Sequence, residues 1–190
     1  MHSESHKDAI RLETPLDDND VRSVRSGDRV LLNGTVYTAR DQAHKKMVDA
    51  LQAGEELPFD PEGQVIYYVG PAPAPPGKVI GSAGPTTSYR MDPFATALYE
   101  AGVKATIGKG ARSEQVREAI QRFTCLYLAA VGGAAALLAT CVRSSEVIAY
   151  PELGTEAVRK LVVDDLPVIA VNDAFGGDLY QQAIDSADSI

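Results

Sequence analysis

Apolar and polar positions along this chain switch repeatedly between a period of two and a period near 3.6, and the switches mark the elements. In residues 28–39, DRVLLNGTVYTA, two β-prone runs flank Asn33-Gly34, a dipeptide suited to a two-residue turn, so the pattern predicts a hairpin. Residues 40–54, RDQAHKKMVDALQAG, predict a helix: Ala43, Met47, Ala50 and Leu51 form an apolar stripe and Gly54 stands at the C′ position. QVIYYVG (64–70) reads as a strand. PAPAPPG (71–77), with four prolines, reads as an extended connector. KVIGSA (78–83) reads as a further strand. DPFATALYEAG (92–102) predicts a helix with Asp92 as N-cap, Pro93 at the first helical position and Gly102 at the end.

The alternation continues to the C-terminus. VKATIGKG (103–110) is a strand ending in a glycine turn. SEQVREAIQRF (113–123) is a helix capped by Ser113, with Val116, Ala119, Ile120 and Phe123 on one face. CLYLAAV, GGAAALLA, EVIAY, TEAVRKL and LPVIAVN extend the series of strands and short helices, with TEAVRKL helical and LPVIAVN a strand. The fold class is therefore α/β, as one domain over residues 11–182. Residues 1–10 are expected to fray and 183–190 to form a polar tail.

Composition narrows the function. At 190 residues, 45% hydrophobic and 23% charged, the chain has enough apolar material for one core and is not of disordered composition. A net charge of −8 disfavours nucleic acid and anionic membranes as partners. The polar opening MHSESHKDAIRLETPL is unlike a signal peptide, and the apolar run CLYLAAVGGAAALLATCV is short and broken by glycines for a membrane span. A cytoplasmic location is the expectation. Cys125 and Cys141, in apolar surroundings, are expected to be buried reduced thiols; two cysteines do not hold an iron–sulfur cluster alone.

The candidate chemistry lies in three loops. YTARDQ, GPTTSYR and IGKG each follow an expected strand, and ligands of open α/β sheets bind beyond strand C-termini. Each loop offers a cation: Arg40, Arg90 and Lys109. Thr86, Thr87 and Ser88 add hydroxyls, and glycine-rich turns present backbone N–H groups that favour anions. Together they suit a small dicarboxylate, with arginine gripping through two parallel hydrogen bonds and lysine acting as a point charge. Blander readings exist for each part: a lone arginine after a strand is often a solvated or capping charge, and GPTTS also reads as a turn and helix cap. The segment is no P-loop, lacking the Gly-Lys-Ser/Thr ending. His44 and Tyr89 read as structural. Three unpaired cations on one rim would repel each other without an anion, which argues against a domain with no ligand.

Taken together, ARDQAHKKM, GSAGPTTSYRMDPF, IGKGARSEQV, VGGAAALLA and YPELGTEAVRKLVVDDLPVIAVND resemble the β component of class I, iron–sulfur-dependent fumarases and tartrate dehydratases. The blocks run in the family's order from about residue 12 to 181. The resemblance implies a swivelling β/β/α fold, found as the C-terminal domain of single-chain members and as a separate β subunit in two-chain members. It implies a hydro-lyase that reversibly dehydrates (S)-malate to fumarate, active only with an α subunit that carries the three cysteines of a [4Fe–4S] cluster, in an α2β2 assembly; the isolated chain would expose an apolar face or pair with itself. This chain would hold no metal. The family's substrate-binding arginine falls on Arg40, its proposed threonine base on Thr86, with Thr87 beside it, its second arginine on Arg90 and its lysine on Lys109. Tyr89 stands where the family often has a small residue, so the pocket edge differs in shape. Tartrate dehydratase, mesaconate hydratase and a non-catalytic dicarboxylate-binding module are the alternatives.

Overall fold

The computed structural model describes residues 9–130 and 135–187. Strand β1 (Ile10–Glu13) runs parallel to β2 (Arg29–Thr38), with helix α1 (Asp18–Ser23) between them. Helix α2 (Asp41–Gln52) leads to β3 (Val65–Tyr67), α3 (Asp92–Glu100) to β4 (Ala105–Gly108), and α4 (Glu114–Arg122) to β5 (Leu126–Ala130). Strands β2, β3, β4 and β5 are parallel neighbours in that order. After α5 (Ala135–Thr140) and β6 (Val142–Ala149), the 15-residue strand β7 (Val158–Asn172) runs antiparallel to β5, to β6 and to β2. Because β7 pairs with both β5 and β2, the sheet closes on itself into a barrel-like arrangement, leaving β1 and β6 outside the ring. Helix α6 (Leu179–Ala187) follows.

Side-chain alternation fills the two faces of this closed sheet. Val36, Tyr67, Ile107, Leu128, Val163 and Val168 point into one buried cluster inside the ring. Tyr37, Ile66 and Tyr127 point outward into a second, where α2, α3 and α4 cover the parallel strands. The described residues thus form one mixed α/β domain.

Several expected elements differ. Asn33-Gly34 makes no hairpin: β2 runs straight through it, held along its whole length by β7. Gly34 uses its positive φ of 92° at an irregularity in the ladder instead of a turn. Opposite it, Asp165 also has positive φ and donates its backbone N–H to Asn33 Oδ1 at 2.9 Å. TEAVRKL is not one helix: Thr155 and Glu156 end a 3₁₀ turn, and the rest leads into β7. Val158 and Leu161 are three residues apart, as on a helix, yet Val158 packs outside the ring and Leu161 inside it, as an odd spacing along a strand dictates.

KVIGSA is no strand. Residues 70–87 form one long arm, with Ala72 N–H donating to Ser82 O at 3.1 Å and Gly81 N–H to Ala72 O at 3.0 Å. Pro71, Pro73, Pro75, Pro76 and Pro85 lack the donors a ladder needs. Asp92 is not an N-cap, since it is already helical (φ −54°, ψ −38°); a 3₁₀ turn, Ser88–Met91, runs directly into α3. Its carboxylate instead accepts from Arg112 Nε and from Ser113 N–H, each at 2.7 Å, tying α3 to the start of α4. The Ser113 cap forms as expected. Ile10, inside the segment expected to fray, opens β1, while residues 1–8 lie outside the described residues; so do Gly132 and Gly133, the glycines that break the apolar run. Helix α6 occupies most of the expected polar tail, of which 188–190 are again outside the described residues.

Replacing Gly34 by alanine would put a Cβ 2.5 Å from Thr14 Oγ1 at a φ that side chains resist. Gly34→Ala is expected to lower stability by about 1–3 kcal/mol, read as a fall in the urea midpoint at constant slope. A midpoint equal to wild type would show that the irregularity accommodates a side chain.

Candidate functional site

The parallel strands β2, β3 and β4 end at the same edge of the sheet, and the candidate residues hang from that edge. Arg40 stands just past β2 as the N-cap of α2, in an extended conformation. Its side chain lies against Gly70, beyond β3: a Cβ on Gly70 would come within 3.1 Å of Arg40 Nη1. Lys109 follows β4 and is exposed.

The GPTTS arm docks beside the end of β4 like one more strand. Thr86 N–H donates to Tyr68 O at 2.6 Å, Lys109 N–H to Thr86 O at 3.3 Å, and Ser88 N–H to Lys109 O at 2.9 Å, with Thr87 facing Lys109 in a parallel bridge. Below the arm, Tyr127 OH donates to Gly110 O at 2.7 Å, which leaves the Ser88 hydroxyl to donate to Tyr127 at 2.9 Å. Position 108 must be glycine, because a Cβ there would collide with Ser88 Oγ. The 3₁₀ turn then carries Arg90 toward α2, where its Nε donates to Asp41 Oδ1 at 2.9 Å.

The fold therefore places Arg40 and Arg90 around one carboxylate, Asp41, and Thr86, Thr87 and Lys109 on one bridge, with the two groups joined through the end of β3. Thr86 and Thr87 are half-buried. The sequence reading missed the counter-ions. Asp41 Oδ2 lies 4.0 Å from Arg40 Nη2, and Glu156 Oε1 lies 3.4 Å from it. Glu156 Oε2 also accepts from Gln42 N–H at 3.1 Å, capping α2 where Arg40 offers no side-chain cap. The two arginines are thus already offset by carboxylates, and the expected mutual repulsion of unpaired cations does not hold for them; among the described residues only Lys109 of the three lacks an ion pair. Asp41 was legible as the residue after Arg40 in ARDQ. Glu156, from the turn Pro151–Glu156 far along the chain, carried no spacing signal.

Backbone amides contribute less than expected. Those of Thr86, Ser88 and Lys109 are all committed to carbonyls. Tyr89, expected to be structural, is 66% exposed at the rim. His44 does have a structural place: it is fully buried on α2, with Nδ1–H donating to Arg40 O at 2.9 Å. A carbonyl only accepts, so Nε2 carries the lone pair. Burial, reinforced by the nearby Arg112 guanidinium, pushes the imidazole down to about 4 despite the bond to Arg40 O. Arg112 is buried too, 4.9 Å from the Tyr127 ring centroid and paired with Asp92.

Cys125 is buried as expected and its thiol is pushed up to about 12 by desolvation, whereas Cys141, also expected to be buried, is only partly so. They pack against opposite faces of the sheet. Among the described residues no group of three or more His, Cys, Asp or Glu side chains is placed to hold a metal ion, so the residues present do not fit an iron–sulfur cluster. No helix among the described residues is long and apolar enough to cross a membrane.

The family model described as Fumarase C-terminus matches residues 1–183. The chain is 43% identical over 161 residues to "Fumarate hydratase 2" of Leishmania major, covering 83% of this chain and 28% of that protein. It is 42% identical over 156 residues to "Fumarate hydratase class I, aerobic" of Escherichia coli K12, covering 81% and 28%. The chain thus spans little more than a quarter of the length of these two relatives. It is also 39% identical over 169 residues to the "Putative L(+)-tartrate dehydratase subunit beta" of Methanocaldococcus jannaschii, covering 86% of this chain and 87% of that one.

The buried His44 gives stability a pH dependence of definite sign. The unfolded imidazole takes up a proton near pH 6.5 while the folded one stays neutral to about 4. The unfolded state therefore binds more protons in that window, and His44 weakens folding as pH falls from 6.5 to 4, by about 3 kcal/mol in all, with no effect above it. Chemical denaturation at a series of pH values should show a shallower loss between pH 6.5 and 4 in His44→Asn than in wild type. Parallel profiles would show that His44 takes up its proton alike in the folded and unfolded chain.

Proposed function

The chain belongs to the Fumarase C-terminus family, and from that premise we propose that it is the carboxylate-binding component of a class I-type hydro-lyase, the β subunit that acts with a separate α chain. The observation that carries this reading is the gathering of Arg40, Arg90, Lys109, Thr86 and Thr87 at one sheet edge. The match over 87% of a relative named as a beta subunit supports the separate-subunit form. The proposed reaction is reversible dehydration of (S)-malate to fumarate, in a cytoplasmic α2β2 assembly, with residues 11–182 as a swivelling β/β/α domain. In this reading the [4Fe–4S] cluster falls to the α chain; the described residues of this chain offer no ligand set for it.

In this reading the chain's own residues bind and orient the substrate and move one proton. Arg40 and Arg90 take a carboxylate each or share one, and Lys109, without a carboxylate partner among the described residues, supplies the remaining positive charge. As the proton leaves C3, charge builds on the adjoining carboxylate, and preorganised cations lower the barrier by stabilising it. Thr86 Oγ1, in its alkoxide form, takes that proton; the C3–H electron pair becomes the C2–C3 double bond and the C2 hydroxyl leaves as hydroxide, for which the α chain would supply the Lewis acid. A hydroxyl is a weak base near neutral pH; the side-chain cations would stabilise its alkoxide. Tartrate is the second substrate reading, favoured by the named beta-subunit relative.

The decisive experiment is anaerobic co-expression with the cluster-bearing α chain and assay on malate, tartrate and mesaconate; a complex inert to all three would overturn the reading. Within an active complex, Thr86→Ala is expected to lower kcat by about 10³-fold or more with substrate affinity nearly kept. Near-normal turnover would remove Thr86 from the mechanism. Arg90→Lys is expected to cost about 10–100-fold in kcat/KM, because lysine offers no planar fork; unchanged kinetics would reject a bidentate role.

A further inference from the structure

We infer that Asp41 is a positioning residue that sets the aim and spacing of Arg40 and Arg90, an inference that rests on the carboxylate-binding role given to those arginines. Asp41 is the first residue of α2, so its backbone is fixed by the helix and its carboxylate sits at the positive end of the helix dipole. One oxygen, Oδ1, accepts from Arg90 Nε at 2.9 Å; the other, Oδ2, is buried, makes no hydrogen bond and lies 4.0 Å from Arg40 Nη2. A single carboxylate thus stands between two guanidinium groups that would otherwise repel.

The contact with Arg90 is selective. The Arg90 side chain is 42% exposed, and among the described residues Nε–H···Asp41 is its one side-chain hydrogen bond. A long side chain this exposed loses rotamer freedom on being fixed, and Asp41 fixes it before any ligand arrives. Engaging Nε leaves both Nη groups available, so the end of the fork is presented outward for a carboxylate. Arg40 differs: Glu156 and the close fit against Gly70 also hold it. Asp41 therefore matters most for Arg90, and its loss is expected to weaken binding more than chemistry.

The test uses the chain in complex with its α partner and reads KM and kcat separately, together with the Arg90 Nε–H resonance of ¹⁵N-labelled chain. Asp41→Ala is expected to raise KM for the dicarboxylate about tenfold or more while kcat changes less than about threefold. Asp41→Asn keeps an acceptor for Nε–H and is expected to bring KM back to within about threefold of wild type. The slowly exchanging Nε–H signal should be present in wild type and Asp41→Asn and lost in Asp41→Ala. A KM unchanged in Asp41→Ala despite loss of the signal, or a fall in kcat alone, would overturn the positioning role. If Asp41→Ala fails to fold, the wild-type resonance still decides, because a fast-exchanging Nε–H shows that Asp41 does not hold Arg90. A wild-type complex with no turnover on any of the three diacids overturns the functional reading instead, and leaves the Nε–H measurement standing on its own.

Discussion

The bond from Thr86 N–H to Tyr68 O is the constraint on which the site depends. It joins a proline-rich arm, which cannot build its own ladder, to the end of β3, and the exchange between Thr86, Ser88 and Lys109 joins the same arm to the end of β4. Without that docking, the hydroxyls and Lys109 would sit on independent loops. With it, their separation is fixed by strand geometry, about 4.7–4.9 Å between neighbours. The buried Ser88–Tyr127–Gly110 chain fastens the arm from below, and Gly108 keeps the space that Ser88 needs. Rigid strand ends under a locked arm are the kind of support that catalytic positioning requires.

Electrostatics follow from the same placement. Two arginines brought to one edge need counter-charge in the free chain, and Asp41 and Glu156 provide it from adjacent and remote sequence respectively. This changes what a cation-rich rim means. Three cations in a sequence say little about free positive charge until their partners are known; here most of the charge is spent internally, and the edge presents oriented donors more than excess charge. Orientation is what distinguishes a fork that recognises a carboxylate from an arginine that merely attracts one.

Helices α2 and α4 and strands β3, β4 and β5 were legible because each has one unambiguous period and a clear stop, such as Gly54 or Ser113. The failures share a cause: a local signal outvoted by long-range pairing. Asn33-Gly34 has the right residues for a turn, but β7 holds both flanking runs in one line, so the permissive φ of Gly34 serves a ladder irregularity. Val158 and Leu161 imitate a helical stripe because β7 is buried on both faces. At the candidate site, the cations and threonines were picked from loop position and family resemblance, and the fold gathers them at one sheet edge. Glu156 was not, since nothing in PELGTE announces that its last carboxylate caps a helix more than a hundred residues earlier.

The exposure of the site points to why one chain would not suffice for the proposed chemistry. Arg90 and Lys109 face water and Thr86 is only half-buried. Exposed ion pairs are worth about 0–1 kcal/mol each, too little to grip a small diacid firmly or to make an alkoxide of a threonine. The same side chains covered by a protein surface would act in a lower dielectric, where each charge interaction strengthens several-fold. In the fumarate hydratase relatives the matched segment is little more than a quarter of the protein. For this chain, the cover and the stronger field would both come from the proposed α partner: the arginines, the lysine and the threonine are arranged in advance, and closing the partner over them is what would give the arrangement its chemical force.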